Sequence, residues 1–230
     1  MPQKTSRFPG RRKRYIIVAS IAVVAISIAL YQAAENNPYK NSKEWNFDSY
    51  KENVVPTGLM YTQTDSEKAT WIVRSDELAP SKPHVFARLS SNSTQLIYPM
   101  VIMPEGSYSN FKASVKLKII SGETAQTAGL TFRFQDTDRY FVLVADAVND
   151  RFSLCRADAN KLICTQDVEA AIDNDKWYTI TAHVAAQGIA GYLDDKLLIQ
   201  RYDKHYLSGA IGLWTKGDTT AYFDDLKIDY

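Results

Sequence analysis

The sequence predicts an all-β fold, a two-sheet antiparallel sandwich of the jelly-roll type, preceded by one transmembrane helix. Three observations support this prediction. An uncharged run of 20 residues follows six basic residues near the N-terminus. Beyond residue 44, short apolar or alternating segments recur between turn residues, without a convincing helical period. The remaining length is one that a single sandwich commonly fills.

The apolar run begins at Tyr15 and ends at Ala34. A helix of that length spans about 30 Å, the thickness of a bilayer's hydrocarbon core. The basic residues of 1–14 are expected to stay in the cytoplasm, because positive charge is retained on that side. We therefore expect a single-pass protein of the cell membrane, with a cytoplasmic tail (1–14), a signal anchor (15–34) and an extracytoplasmic remainder.

Two other interpretations of the N-terminus stay open. A cleaved signal peptide would use the small residues Ser27 and Ala29, although the apolar run continues past them, which favours an anchor. The basic stretch is also compatible with nucleic-acid binding. However, residues 1–34 hold six basic and no acidic residues, so without them the formal net charge changes from +1 to −5. The external part is therefore not expected to bind nucleic acid.

The polar segment 35–44 reads as a juxtamembrane linker, and 45–230 as one domain. Two features of that domain fit an extracytoplasmic location. Cys155 and Cys164 flank a predicted turn and would lie opposite each other, which favours a disulfide, with two buried free thiols as the alternative. Asn92 begins an Asn-Ser-Thr sequon in a polar stretch, a glycosylation site if the source glycosylates.

Alternation identifies the first strands. In 112–119, apolar residues alternate with Lys112, Ser114, Lys116 and Lys118, which predicts a half-buried strand with a solvated lysine face. In 130–135, Leu130, Phe132 and Phe134 are expected to point inward, whereas Arg133 and Gln135 point outward. The apolar run 140–145 predicts a strand covered on both faces. Further strands are expected at about 69–74, 84–89, 95–102, 151–156, 161–166, 177–185, 188–193, 196–202, 209–215 and 220–229. The stretch 167–174 is helix-like but too short to predict a helix.

Several segments resemble, in the same order, the concanavalin A-like, laminin G-like domains. They are WIVRSDELAPSKPHVFARLS (71–90), SGETAQTAGLTFRFQDTDRYF (121–141), Trp177-Tyr178, GYLDDK (191–196) and GAIGLWTKGDTTAYFDDL (209–226). Within these domains the resemblance is greatest to the 3-keto-disaccharide hydrolase and family 16 glycoside hydrolase-like group. It implies the jelly-roll fold. It leaves function open, because such domains serve as carbohydrate-binding modules, adhesion modules and enzymes.

Motifs for catalysis are absent from the sequence. Family 16 glucanases carry E-x-D-x-x-E on one strand, which places two carboxylates at the spacing of a retaining mechanism, and this pattern does not occur. The histidines at 84, 183 and 205 lie far apart, with neither G-x-S-x-G nor a zinc-binding spacing nearby. Whether the protein is an enzyme stays open; if it is, the resemblance implies a glycoside hydrolase.

Recognition chemistry offers two candidate sites. A sugar site needs aromatic faces flanked by polar side chains, and Arg133, Gln135, Tyr140, His183 and Trp214 would converge on a concave face if their strands are neighbours. Alternatively, loops cover the rings and Arg133 pairs with an aspartate. The second candidate site is one for calcium, with Asp136, Asp138 and Asp218 as the candidate ligands.

The expected function is therefore that of a membrane-anchored lectin-like domain that binds glycans or another cell-surface component without catalysis. The first alternative is a glycoside-acting hydrolase of the family 16-like or 3-keto-disaccharide hydrolase type. The second is an accessory or structural subunit of a membrane or cell-surface assembly. An open groove with exposed aromatic rings would favour the first expectation, and a filled groove would favour the subunit.

Overall fold

The computed structural model describes residues 39–62, 70–90, 97–104, 106–159 and 161–230. Every described residue belongs to one compact unit, Tyr39–Tyr230. Among these residues, no helix has the length and apolar character needed to cross a membrane. The predicted tail (1–14), the predicted anchor (15–34) and Asn92 lie outside the described residues.

The described residues form fifteen strands and no helix, which confirms the all-β prediction. In chain order the strands are β1 (Ser42–Trp45), β2 (Met60–Thr62), β3 (Thr70–Ser75), β4 (His84–Leu89), β5 (Met100–Ile102), β6 (Phe111–Ser121), β7 (Thr127–Asp136), β8 (Arg139–Asp146), β9 (Arg151–Asp158), β10 (Lys161–Glu169), β11 (Trp177–Ala185), β12 (Gly188–Leu193), β13 (Lys196–Tyr202), β14 (Ala210–Thr215) and β15 (Thr220–Asp229).

The strands form two antiparallel sheets. The eight-stranded sheet has the order β13-β12-β11-β6-β15-β4-β3, and β1 also pairs with β15. The seven-stranded sheet has the order β10-β9-β8-β7-β14-β5-β2. One large apolar core contains side chains from both sheets, for example Val115 and Leu130. The two-sheet sandwich is thus confirmed, with the core between the sheets.

Strand β6 shows why these residues form a sandwich strand. Every second side chain of a strand points to the same face, so Ala113, Val115 and Leu117 share one face of β6. All three are fully buried, which makes this the face toward the core. Lys112 on the opposite face is exposed. The alternation therefore predicts the inner face correctly. Its prediction of a solvated lysine face fails at Lys118, which is 3% exposed.

The domain begins earlier than the sequence suggests. β1 lies largely within the segment predicted as a linker (35–44), and Ser42 pairs with Asp229 of β15. Asn41 and Tyr230 exchange two backbone hydrogen bonds, at 3.1 and 3.0 Å. The last residues of the predicted linker are therefore part of the sheet. Strand β2, which has only three residues, was not predicted from the sequence.

Strand β8 and the β9–β10 hairpin of the seven-stranded sheet match the prediction closely. Every residue of 140–145 in β8 is buried, as expected for a strand covered on both faces. The β9–β10 hairpin pairs Cys155 directly with Cys164. These two residues form a disulfide with an S–S distance of 2.02 Å, and the described residues contain no free cysteine. The predicted disulfide is therefore confirmed. β10 continues to Glu169, so the start of the helix-like stretch 167–174 is strand.

Candidate ligand-binding surfaces

Tyr140 and Trp214 lie together on the outer face of the seven-stranded sheet. Trp214 Nε1 donates a hydrogen bond to the Tyr140 hydroxyl at 3.2 Å, and the Tyr98 ring stacks on Trp214 with a centroid distance of 5.3 Å. Both Tyr140 and Trp214 are 1% exposed and belong to a second apolar cluster, separate from the main core. Burial raises the pKa of Tyr140, against the opposing effect of the Trp214 hydrogen bond. The two rings are therefore not on an open groove, contrary to the expectation.

Arg133 does not join them, because β7 contains a bulge at this point. The register with β8 shifts between Phe132 and Asp136, and Arg133 has φ = 49°. An extra residue exchanges the two faces of a strand. Phe134, expected in the main core, therefore packs near Tyr140 in the second cluster.

The Arg133 side chain is fully buried instead of exposed. Its Nη2 donates to the carbonyl of Ala186, in the β11–β12 turn of the other sheet. Its Nε and Nη1 have no hydrogen-bond partner among the described residues. Burial lowers the pKa of Arg133 to about 10, and the negative charge of Asp203 opposes this shift. Arg133 thus connects the two sheets at one end of the sandwich.

The other two predicted residues lie elsewhere again. Gln135 is exposed, and its amide donates to the carbonyl of Ser208 at 3.3 Å. His183 is on the outer face of the eight-stranded sheet, 4% exposed, with its ring edge-to-face with Tyr39. Burial and the nearby Lys112 lower the pKa of His183. Of the five residues, only Tyr140 and Trp214 therefore lie together, and the set does not converge on one face.

The three candidate calcium ligands do not lie together, because Asp218 is far from Asp136 and Asp138. Asp136 accepts the Asp138 N–H at 3.0 Å and forms an ion pair with Arg139, whose hydrogen bond lowers the pKa of Asp136. Asp218 lies near the first residue of β7, whereas Asp136 is the last residue of that strand. At about 3.3 Å per residue, the strand separates the two carboxylates by about 30 Å. Across the described ranges, no group of three or more His, Cys, Asp or Glu side chains is placed to hold a metal ion.

Asp218 has a clear structural role. It accepts the backbone N–H groups of Glu123, Thr124 and Ala125, and the Thr124 hydroxyl at 2.6 Å. Burial alone would raise its pKa, but the Thr124 hydroxyl and the three N–H groups outweigh that effect and lower it to about 2. The carboxylate therefore fastens the β6–β7 connection to the β14–β15 turn.

A cluster around Lys118, on the outer face of the eight-stranded sheet, was not predicted. The Lys118 ammonium lies 2.7 Å from Asp76 and 3.5 Å from Asp175. It also lies over the rings of Trp177 and Tyr222, at 5.2 and 5.4 Å from their centroids. Both rings are partly exposed. An aromatic face, a cation and a carboxylate thus meet at one place, a combination that suits polar ligands with apolar faces.

Asp224 adds a buried carboxylate to the same face. It is fully buried and accepts hydrogen bonds from the Ser81 N–H at 2.9 Å and the Ser81 hydroxyl at 3.0 Å. Burial raises its pKa to about 6, despite these hydrogen bonds, and the neighbouring Asp225 raises it further. Asp225 is itself paired with Lys116 at 2.8 Å. Both carboxylates therefore have protein partners.

Sequence reasoning missed these residues for one reason. Lys118 follows the alternation of β6, but its partners come from the β3–β4 loop, from β11 and from β15. Contacts between segments so far apart leave no local pattern. The one available signal was the strand period, which placed Lys118 on a face other than the core.

Comparison with solved structures identifies the fold as the concanavalin A-like sandwich. A carbohydrate-binding module, CBM66 from Bacillus subtilis, is 20% identical, with a TM-score of 0.60 over 74% of this chain and 95% of that one. The cellulose-induced protein Cip1 is 12% identical, with a TM-score of 0.57 over 81% and 96%. A β-glucanase from Bacillus licheniformis is 13% identical, with a TM-score of 0.53 over 83% and 98%. No family model and no curated protein matches the chain.

Proposed function

We propose that the chain is a membrane-anchored, extracytoplasmic and non-catalytic protein whose sandwich domain binds a glycan or another cell-surface component. The observation that carries the glycan-binding part of this proposal is the Lys118 cluster, where the partly exposed rings of Trp177 and Tyr222 lie against a largely buried ion pair of Lys118 and Asp76. Sugar recognition needs this combination of aromatic faces and charged hydrogen-bonding groups. The likeness to a carbohydrate-binding module supports the same proposal at the level of the fold.

A glycan array with the full-length protein in detergent micelles tests this function. We expect retention of one class of glycan and no release of reducing ends from that glycan during prolonged incubation. Binding accompanied by hydrolysis would replace the proposal by the glycoside hydrolase alternative. The absence of any glycan ligand would leave a cell-surface protein as the partner.

A role as an accessory subunit is the second candidate, and one observation favours it. The outer face of the seven-stranded sheet is filled by apolar side chains, including Met100, Val142 and Trp214, where an open sugar groove would need exposed rings. Chemical crosslinking in intact membranes tests this role. A defined crosslinked partner together with an empty glycan array would establish it, whereas a glycan ligand without a partner would exclude it.

A further inference from the structure

The β3–β4 loop (76–83) is fastened at both ends to the outer face of the eight-stranded sheet. Near its start, one Asp76 oxygen lies 2.7 Å from the Lys118 ammonium, and the other accepts the Leu78 N–H at 2.9 Å. Near its end, Ser81 donates two hydrogen bonds to Asp224. The Asp76 N–H also bonds to the carbonyl of Pro83 across the loop, at 3.2 Å. These contacts fix the shape of the loop before any ligand binds.

The fixed loop lines an open surface cavity of about 370 Å³. This volume lies in the range of small-molecule pockets, about 300–1,000 Å³. The cavity is lined by Ser75, Asp76, Glu77, Leu78, Lys82 and Pro83. Leu78 is 71% exposed, so its side chain is accessible to a ligand at this loop.

The lining has the chemistry of a site for a neutral, hydroxyl-rich ligand. Glu77 supplies carboxylate acceptors and Lys82 supplies ammonium donors, which suit the two roles of a hydroxyl group. Leu78 and Pro83 offer apolar contact to C–H groups. Lys118 forms an ion pair with Asp76, and the lining otherwise carries one negative charge (Glu77) and one positive charge (Lys82), so neither sign of charge dominates the cavity.

We infer that this cavity is a saccharide subsite that takes a neutral sugar unit, with Glu77 and Lys82 bonding its hydroxyl groups and Leu78 contacting its apolar face. The inference rests on the proposed glycan-binding function and gives it a place and a ligand class. Asp76 is a positioning residue for the loop, because Lys118 and Leu78 already engage both of its oxygens.

Titration calorimetry of the full-length protein in micelles tests the subsite. The probes are three neutral trisaccharides (maltotriose, cellotriose and xylotriose), the anionic trigalacturonate and a tetralysine peptide. We expect at least one neutral trisaccharide to bind at least tenfold more tightly than either charged probe. Glu77→Ala should weaken that binding about tenfold or more, because a charged hydrogen-bond acceptor is lost.

The matched control is Glu169→Ala, which removes an exposed glutamate from the end of β10 in the other sheet. It should leave affinity unchanged. Glu77 is exposed, so its variant should keep the melting temperature of the wild type, and Leu78→Ser supplies a second exposed change at the rim. Both rim variants should weaken binding.

Each result has a distinct meaning. Equal affinity of the wild type and both rim variants for a neutral trisaccharide overturns the subsite and leaves the proposed function intact. Tighter binding of trigalacturonate or tetralysine overturns the ligand class. If no trisaccharide binds, the subsite is wrong, and the glycan array then decides separately whether glycan binding fails as well.

Discussion

Replacing Trp214 by alanine tests whether this ring supports the fold or contacts a ligand. The side chain is 1% exposed, stacks on Tyr98 and donates a hydrogen bond to Tyr140. Truncating a buried tryptophan costs about 3–5 kcal/mol. The loss also leaves the buried Tyr140 hydroxyl without this partner, so the upper part of that range applies. We therefore expect the free energy of unfolding to fall by about 4–5 kcal/mol.

For domains of 150–250 residues, 1 kcal/mol corresponds to about 2–4 °C, so the melting temperature should fall by roughly 8–20 °C. Circular dichroism, recorded during thermal and urea unfolding of the full-length protein in micelles, measures both quantities. Tyr140→Phe should cost about 1–2 kcal/mol, since it keeps the ring and removes only the hydroxyl.

Tyr202→Ala is the matched control, because this ring is 59% exposed and its loss should change stability by less than about 0.5 kcal/mol. If Trp214→Ala unfolds within about 2 °C of the wild type, the ring is not buried. The description of the outer face of the seven-stranded sheet would then be refuted, and Trp214 would again be a candidate for ligand contact.

Three further predictions concern the carboxylates and the topology. Because the folded-state pKa of Asp224 is raised to about 6, ionisation of this carboxyl should destabilise the fold as the pH rises from 4 to 7. Over that interval the free energy of unfolding of Asp224→Asn should therefore rise by up to about 3 kcal/mol relative to that of the wild type, as measured by urea unfolding. A stability difference between variant and wild type that does not change with pH would contradict this prediction. Asp218→Ala should cost about 2–3 kcal/mol at pH 7, since one buried and two part-buried N–H groups lose their acceptor, and an unchanged melting temperature would show that water replaces it. Protease added to intact cells should remove the domain and leave a basic N-terminal membrane fragment, whereas a mature N-terminus near Leu30 would indicate a cleaved signal peptide.

Local patterns in the sequence predicted the features that depend on neighbouring residues. The alternation in 112–119 identified the buried face of β6, and the continuous apolar run 140–145 identified a strand covered on both sides. The spacing of Cys155 and Cys164 around a turn gave their pairing, because the register of a short hairpin follows from its turn.

The candidate sugar site failed because it assumed a continuous strand period and a strand order. The bulge at Arg133 turned that side chain inward and moved Phe134 to the other face. His183 and Trp214 would share a face only if their strands were neighbours, but β11 belongs to the eight-stranded sheet and β14 to the seven-stranded one. Neither fact has a signature in adjacent residues.

The sequence by itself determined the all-β class, the core-facing side of β6 and the disulfide, because each depends on side chains a few residues apart. Only the tertiary structure decided which outer faces are covered. Lys118 is buried because Asp76, Trp177 and Tyr222 reach it from three distant segments, and Trp214 because Tyr98 stacks on it within an apolar cluster. Such coverage depends on long-range strand pairing and loop packing, which the two-residue period of a strand does not encode.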